Sequence, residues 1–142
     1  MATASSLLKY KGRVIHSVSP NAPVLDAIKI MAEHSVGALL VMQNEQLLGV
    51  LSERDYARKV ILKGRSSNET LVSAIMSSPV LTVGPDQSVN DCMRLMTEHR
   101  VRHLPVVDAG RVIGVLSIGD LVRAVLEEQQ QTIKQLEQYI HS

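Results

Sequence analysis

The chain contains no tryptophan and no phenylalanine, and its aromatic residues are three tyrosines, Tyr10, Tyr56 and Tyr139. Single-stranded bases are held by several closely set aromatic rings, so that mode of nucleic-acid binding is poorly provided for. The core has to be built from Val, Leu, Ile, Met and Ala. Cysteine is nearly absent too. The one residue, Cys92, cannot form an internal disulfide and fits a reducing compartment. No sign of charge prevails: 15 Lys and Arg against 14 Asp and Glu give a formal net charge of +1, which steers the chain neither to nucleic acid nor to an acidic membrane. No run approaches the roughly 18 apolar residues of a membrane span. The opening residues, MATASSLLKYKGRV, show no apolar core of a secretory signal. The expectation is a cytoplasmic protein of 142 residues, built as one ordinary domain or two very small ones sharing a core.

What is present is a duplication. Displaced by 65 residues, positions 18–60 lie over 83–125 without a gap and with 17 identities in 43 positions, where chance gives roughly 3. The matches include Asp26/Asp91, Met31/Met96, Glu33/Glu98, His34/His99 and Val36/Val101. The densest block is Gly-Val-Leu-Ser, at 49–52 and again at 114–117, followed by Asp55/Asp120 and Arg58/Arg123. A period this long is not that of a solenoid; two copies predict a pseudo-twofold pair.

Each copy reads as β-α-β-β-α. A short apolar strand is predicted over 13–18 and 80–83, then a Pro-containing turn. Val24, Ala27, Ile28, Met31 and Ala32 follow the spacing of one buried helix face, as do Val89, Cys92, Met93 and Met96. Continuous apolar runs at 37–42 and 103–107 read as buried strands. Polar turns and second strands at 47–51 and 112–116 follow, and a last helix begins at Ser52 or Ser117. The expected layout is an N-terminal segment (1–12), repeat one (13–63), a connector (64–78) with a helical patch near 71–76, repeat two (79–126) and a helical tail (127–142). Ile133, Leu136 and Ile140 leave one apolar stripe on that tail, which needs a partner helix or a groove.

Ser52 and Asp55, like Ser117 and Asp120, stand where a helix should start. Two readings of the pattern stand together. Ser-x-x-Asp is close to a capping box, in which serine and acid close the first turn. It also suits a nucleotide: an ionised carboxylate accepts both hydroxyls of a ribose diol, a helix N-terminus suits a phosphate, and Gly49 and Gly114 permit close backbone approach.

The duplicated βαββα unit, with Gly-apolar-apolar-Ser-x-x-Asp before each last helix and the stretches AIKIMAEHSVGALLV (27–41) and CMRLMTEHRVRHLPVVD (92–108), resembles the CBS domain pair, or Bateman module, over about residues 10–126. The resemblance implies an α+β fold of two tandem repeats. It also implies a cleft between them with up to two sites for an adenosyl ligand: AMP, ADP, ATP, NAD or S-adenosylmethionine. In site one the family pattern assigns Asp55 to the ribose and Ser52 to the phosphate, with Ser17 and Val18 near the base. In site two it assigns Asp120, Ser117, Thr82 and Val83. Arg102 and His103 match the family's phosphate contacts. Arg54 adds a charge to site one, where copy two has Gly119; Gly37 and Ala38 stand in copy one where copy two has Arg102 and His103. The two sites are therefore expected to differ in affinity or ligand. Arg54 and Arg102 read equally well as solvated surface charges.

His99 and His103 have the i, i+4 spacing of helical metal sites, but the helix is expected to end near His99, so no metal is expected. Cys92 falls on a buried helix face and reads as core. No catalytic constellation stands out. The expected function is a sensor, not an enzyme: a homodimer without catalytic cofactor that binds an adenine nucleotide and signals to a partner protein. A ligand-free adaptor or oligomerisation module is the alternative, with a small metal protein or enzyme behind it.

Overall fold

A βββ ladder can accept its first strand only where the middle strand offers a free N–H, and this decides how far the two repeats resemble each other. The protein, described here over residues 2–141 in a computed structural model, runs α1 (Ala4–Lys11), β1 (Ser17–Val18), α2 (Val24–His34), β2 (Ala38–Gln43), β3 (Gln46–Ser52), α3 (Glu53–Tyr56) continuing as a π-helical segment (Ala57–Ile61), α4 (Val72–Ile75), α5 (Val89–His99), β4 (His103–Asp108), β5 (Arg111–Ser117) and α6 (Ile118–His141). Two α+β units result. Ile15–Leu81 forms one; the chain from Thr82 onward, joined by the segment before Ile15, forms the other.

The hairpins of the two units share one register. Ala38 faces Ser52 and Leu39 faces Leu51 in the first; His103 faces Ser117 and Leu104 faces Leu116 in the second. Asn44 and Glu45, and likewise Ala109 and Gly110, take positive φ at the hairpin tips, the geometry whose twist matches a two-residue β-turn. The first strand differs. β1 pairs in parallel with β2, Ser17 against Leu40 and Val18 against Val41, and the Leu40 N–H donates to the His16 carbonyl (3.1 Å). The residue matching Leu40 is Pro105, which has no N–H to give. The strand expected over 80–83 is accordingly reduced to a bridge at Val83, held by Val83 N–H to Pro105 O and Val107 N–H to Val83 O. In repeat one, too, the ladder begins only at Ser17, not at Arg13.

The core of the first unit gathers Val18, Val24, Ala27, Met31, Leu39, Val41, Leu51 and Val60, and it takes in Val72 and Ile75 as well. The expected connector is therefore not a mere link: its helix α4 lies in the core of repeat one. The segment before β1 does the same for repeat two, where Ala4 and Leu8 of α1 are fully buried. The hydrogen bonds match one for one. Val72 N–H donates to Ala22 O and Ser73 N–H to Pro20 O; Ala4 N–H donates to Gln87 O and Ser5 N–H to Pro85 O. Each repeat is thus completed by the segment that precedes the other repeat. Gly49 and Gly114 are the seats for these segments. A Cβ at Gly49 would meet Met76 Sδ at 2.7 Å and the Ser77 carbonyl at 3.0 Å, and one at Gly114 would meet Leu8 Cδ2 at 2.5 Å. The last helix of repeat two runs on through the tail as one continuous α6, the long C-terminal helix that was expected.

Substitution Gly49→Ala or Gly114→Ala therefore overpacks a closed seat, which costs about 1–3 kcal/mol. Gly49→Ala should be the worse of the two, because it presses on backbone. Leu8→Ala and Gly114→Ala act on one contact, so urea denaturation of the double variant should show less loss than the two single losses added.

Candidate functional site

At the end of each hairpin the strand turns directly into a helix, and the first helical N–H groups need acceptors. Ser52 caps α3: its hydroxyl accepts from the Asp55 N–H (3.2 Å), while Asp55 Oδ2 accepts from the Ser52 N–H (3.0 Å) and the Ser52 hydroxyl (3.0 Å). Ser117 and Asp120 repeat this at α6, with Oδ2 accepting the Ser117 N–H at 2.8 Å and its hydroxyl at 2.9 Å, and the Ser117 hydroxyl accepting the Asp120 N–H at 3.2 Å. The first helical N–H is also taken. Glu53 N–H donates to Gly37 O (3.0 Å) and Ile118 N–H to Arg102 O (2.8 Å). The helix starts are closed boxes, and two of the first three N–H groups that a phosphate could use are already spent.

The two carboxylates differ in what else holds them. Asp55 Oδ1 accepts from the Ser77 hydroxyl (3.2 Å) and lies 3.3 Å from Lys59 Nζ, which itself donates to Ile75 O (2.9 Å). The position matching Lys59 in repeat two is Ala124. There the cation comes from α1: Lys11 Nζ donates to Asp120 Oδ2 (2.6 Å) and to Val115 O (2.7 Å). The side chain of Asp120 is only 10% exposed and that of Asp55 14%. Burial opposes ionisation of Asp120. The hydrogen bond and charge of Lys11 and the bonds from Ser117 outweigh it and hold this carboxyl below the usual carboxylate range. Around Asp55 three hydrogen bonds and the ion pair are shared between both oxygens; around Asp120 the capping bonds and the lysine gather on Oδ2.

The other expected residues fall around these boxes. His103 lies directly across the hairpin from Ser117. The backbone of Arg102 caps α6, whereas its side chain, like that of Arg54, is exposed. Val18 and Val83 are buried, and Ser17 and Thr82 are exposed. Ser17 and Ser52 flank β2 on opposite sides, at Leu40 and Ala38, so two strand spacings of about 4.8 Å separate them across the sheet. Lys59, Ser77 and Lys11 were not foreseen. The i, i+4 spacing of Asp55 and Lys59 was a readable signal; no spacing announces a partner 109 residues away.

Two units, each an α-β-β-α repeat entered by a parallel strand in the first and a single parallel bridge in the second, with a hairpin that ends in a Ser-Asp box at a helix start, define a tandem module of one recurring design. The chain belongs to the CBS-domain family, whose model matches residues 12–62 and 72–127. It is 41% identical to the mitochondrial CBS domain-containing protein CBSX3 of Arabidopsis thaliana, over 97% of this chain and 71% of that one. A solved structure of a protein with CBS domains from Burkholderia ambifaria is 52% identical, with a TM-score of 0.86 over 90% of this chain and 96% of that one. A CBS domain pair solved in complex with 5′-methylthioadenosine and S-adenosyl-L-methionine shares the fold at 22% identity, with a TM-score of 0.79 over 90% of this chain and 98% of that one. The CBS pair is a regulatory module. Among the described residues no helix is long and apolar enough to cross a membrane.

The lowered Asp120 value sets a pH dependence. An acid depressed in the folded state stabilises it above the unfolded value, about 3.9 for aspartate, and that stabilisation is lost as pH falls through the folded value. Urea denaturation should find Asp120→Asn less stable than the unaltered protein near pH 6, with the gap closing as pH is taken below 3.9.

Proposed function

We propose that this protein is a sensor that binds an adenosyl ligand at its Ser-x-x-Asp boxes and passes the occupied state to a partner protein. The observation that carries the reading is the pair of largely buried but reachable carboxylates, Asp55 and Asp120, held in matching geometry at matching points of two repeats. A largely buried carboxylate paired with a lysine is still an acceptor, and the vicinal hydroxyls of a ribose supply two donors. The ligands of the solved CBS pair, both adenosyl compounds, support this chemistry. In the proposal Ser17 and Val18 serve the base in repeat one, with Thr82 and Val83 in repeat two. Arg54 and the Arg102–His103 pair serve any phosphate. AMP, ADP, ATP, NAD and S-adenosylmethionine are the candidates.

The two sites are not equal in this reading. In repeat one a diol has to displace Ser77 and Lys59 from Oδ1 of Asp55. In repeat two the capping and lysine bonds fall on Oδ2, which leaves Oδ1 of Asp120 as the acceptor for the ligand. Asp120 is therefore assigned to the stronger site. The same saturation of Asp55 favours a second reading, in which the boxes are structural caps and the chain is a ligand-free adaptor.

Thermal unfolding of nucleotide-free protein separates the two. A ligand at a hundred times its dissociation constant adds about 2.7 kcal/mol, which moves the midpoint by roughly 10 °C in a protein of this size. The sensor reading expects such a shift with at least one of the five ligands, largely lost in Asp120→Ala and less affected in Asp55→Ala. No shift with any of them, from protein shown to be free of bound nucleotide, selects the adaptor.

A further inference from the structure

From Leu126 to His141 every residue of α6 is exposed, so no face of this part of the helix is buried within its own chain. An isolated helix of about this length is marginal in water. Its apolar residues are nonetheless ordered: Val122, Leu126, Ile133, Leu136 and Ile140, with the polar Gln129 in the one remaining place, recur at alternating steps of four and three, the heptad seam of a coiled coil. Leu126, Ile133, Leu136 and Ile140 are between 48% and 73% exposed. The inward side of the same helix uses other residues, Leu121 and Ala124, so the seam is free to serve a second surface.

We infer that this seam pairs with the same helix of a second copy of the chain, in antiparallel orientation. The flanking charges choose the orientation. Arg123 and Glu137 occupy the same heptad position, two heptads apart, and neither has an ion-pair partner among the described residues. An antiparallel register that sets Leu126 against the partner's Leu136, and Ile140 against the partner's Val122, brings Arg123 beside the partner's Glu137 twice per dimer. A parallel pair stacks Gln129 on the partner's Gln129 and leaves Glu137 beside the partner's Thr132, with no opposite charges across the seam. A foreign helix would have no reason to match the internal symmetry of this charge pattern, whereas a second copy satisfies it by construction.

Sedimentation of the full chain over a range of concentrations tests the inference. The unaltered protein is expected to show a monomer–dimer equilibrium, and Ile133→Glu to abolish it. Arg123→Glu and Glu137→Arg should each weaken dimerisation by about tenfold, since each turns two attractions into two repulsions. The double exchange should restore affinity to within about threefold of the original. These positions are exposed, and thermal unfolding of each variant checks that it is folded. A monomer at all concentrations, a dimer indifferent to Ile133→Glu, or a double exchange no stronger than the single ones overturns the inference. The last result also points to parallel pairing or to a partner other than this chain.

Discussion

A carboxylate three residues past the end of a strand, with a serine at the turn, has one low-energy arrangement. The chain enters a helix at the serine, and acid and serine satisfy each other's backbone N–H groups. Much of this protein follows from making that arrangement twice. The hairpin must end in step with its own middle strand, which sets the shared register of both units. Each acid is nearly buried and has a lysine beside it. Hydrogen bonds to a charged group are stronger than neutral ones, so the lysines that supply the charge also fix the segments that carry them. In repeat one the lysine lies one helical turn further on; in repeat two it arrives on a helix from the start of the chain.

That borrowed helix ties the candidate site to the way the repeats are assembled. The segment preceding one repeat fills the glycine seat of the other and completes its core. Lys11 and Leu8 are three residues apart on α1, so one face of a single helix both closes the seat at Gly114 and touches the acid at Asp120. A ligand that altered the hold of Asp120 on Lys11 would bear directly on the docking of α1. A ligand acts on such an equilibrium only through different affinities for its two states. The contact between Lys11 and Asp120 is a place where such a difference can arise in the second repeat. In the first, the corresponding part is played by Ser77, just past α4, and by Lys59, which also donates to the Ile75 carbonyl of α4.

Much of this was legible in the sequence. The 65-residue displacement exposed the two repeats because core positions keep their size and helix starts keep their chemistry: Val18/Val83, Met31/Met96 and Leu51/Leu116 are buried in both copies. The helices over 24–34 and 89–99 showed their buried faces by spacing alone. The pairing of Ser with Asp was legible as both a cap and a binding pattern, and the capping half is what the geometry displays. Three things were hidden. The shrinkage of the second repeat's first strand depends on a missing N–H at Pro105, a strand away. The equivalence of α1 and α4 has a displacement of 68, not 65, and keeps only Ser5/Ser73 identical among its core-facing stretch, too little to align. The seats at Gly49 and Gly114 looked like room for a ligand, because a glycine records that something comes close but not what.

The central claim is that the Ser-x-x-Asp carboxylates receive the sugar of an adenosyl ligand. A crystal structure of the protein grown with S-adenosylmethionine or AMP tests it directly. The account predicts density for the ligand with both ribose hydroxyls within hydrogen-bond distance of Asp120, and with the Ser117 cap still in place. A ligand bound with its ribose away from both Asp120 and Asp55 would contradict it. So would a structure in which neither ligand is bound at saturating concentration and both acids keep only their lysines and serines.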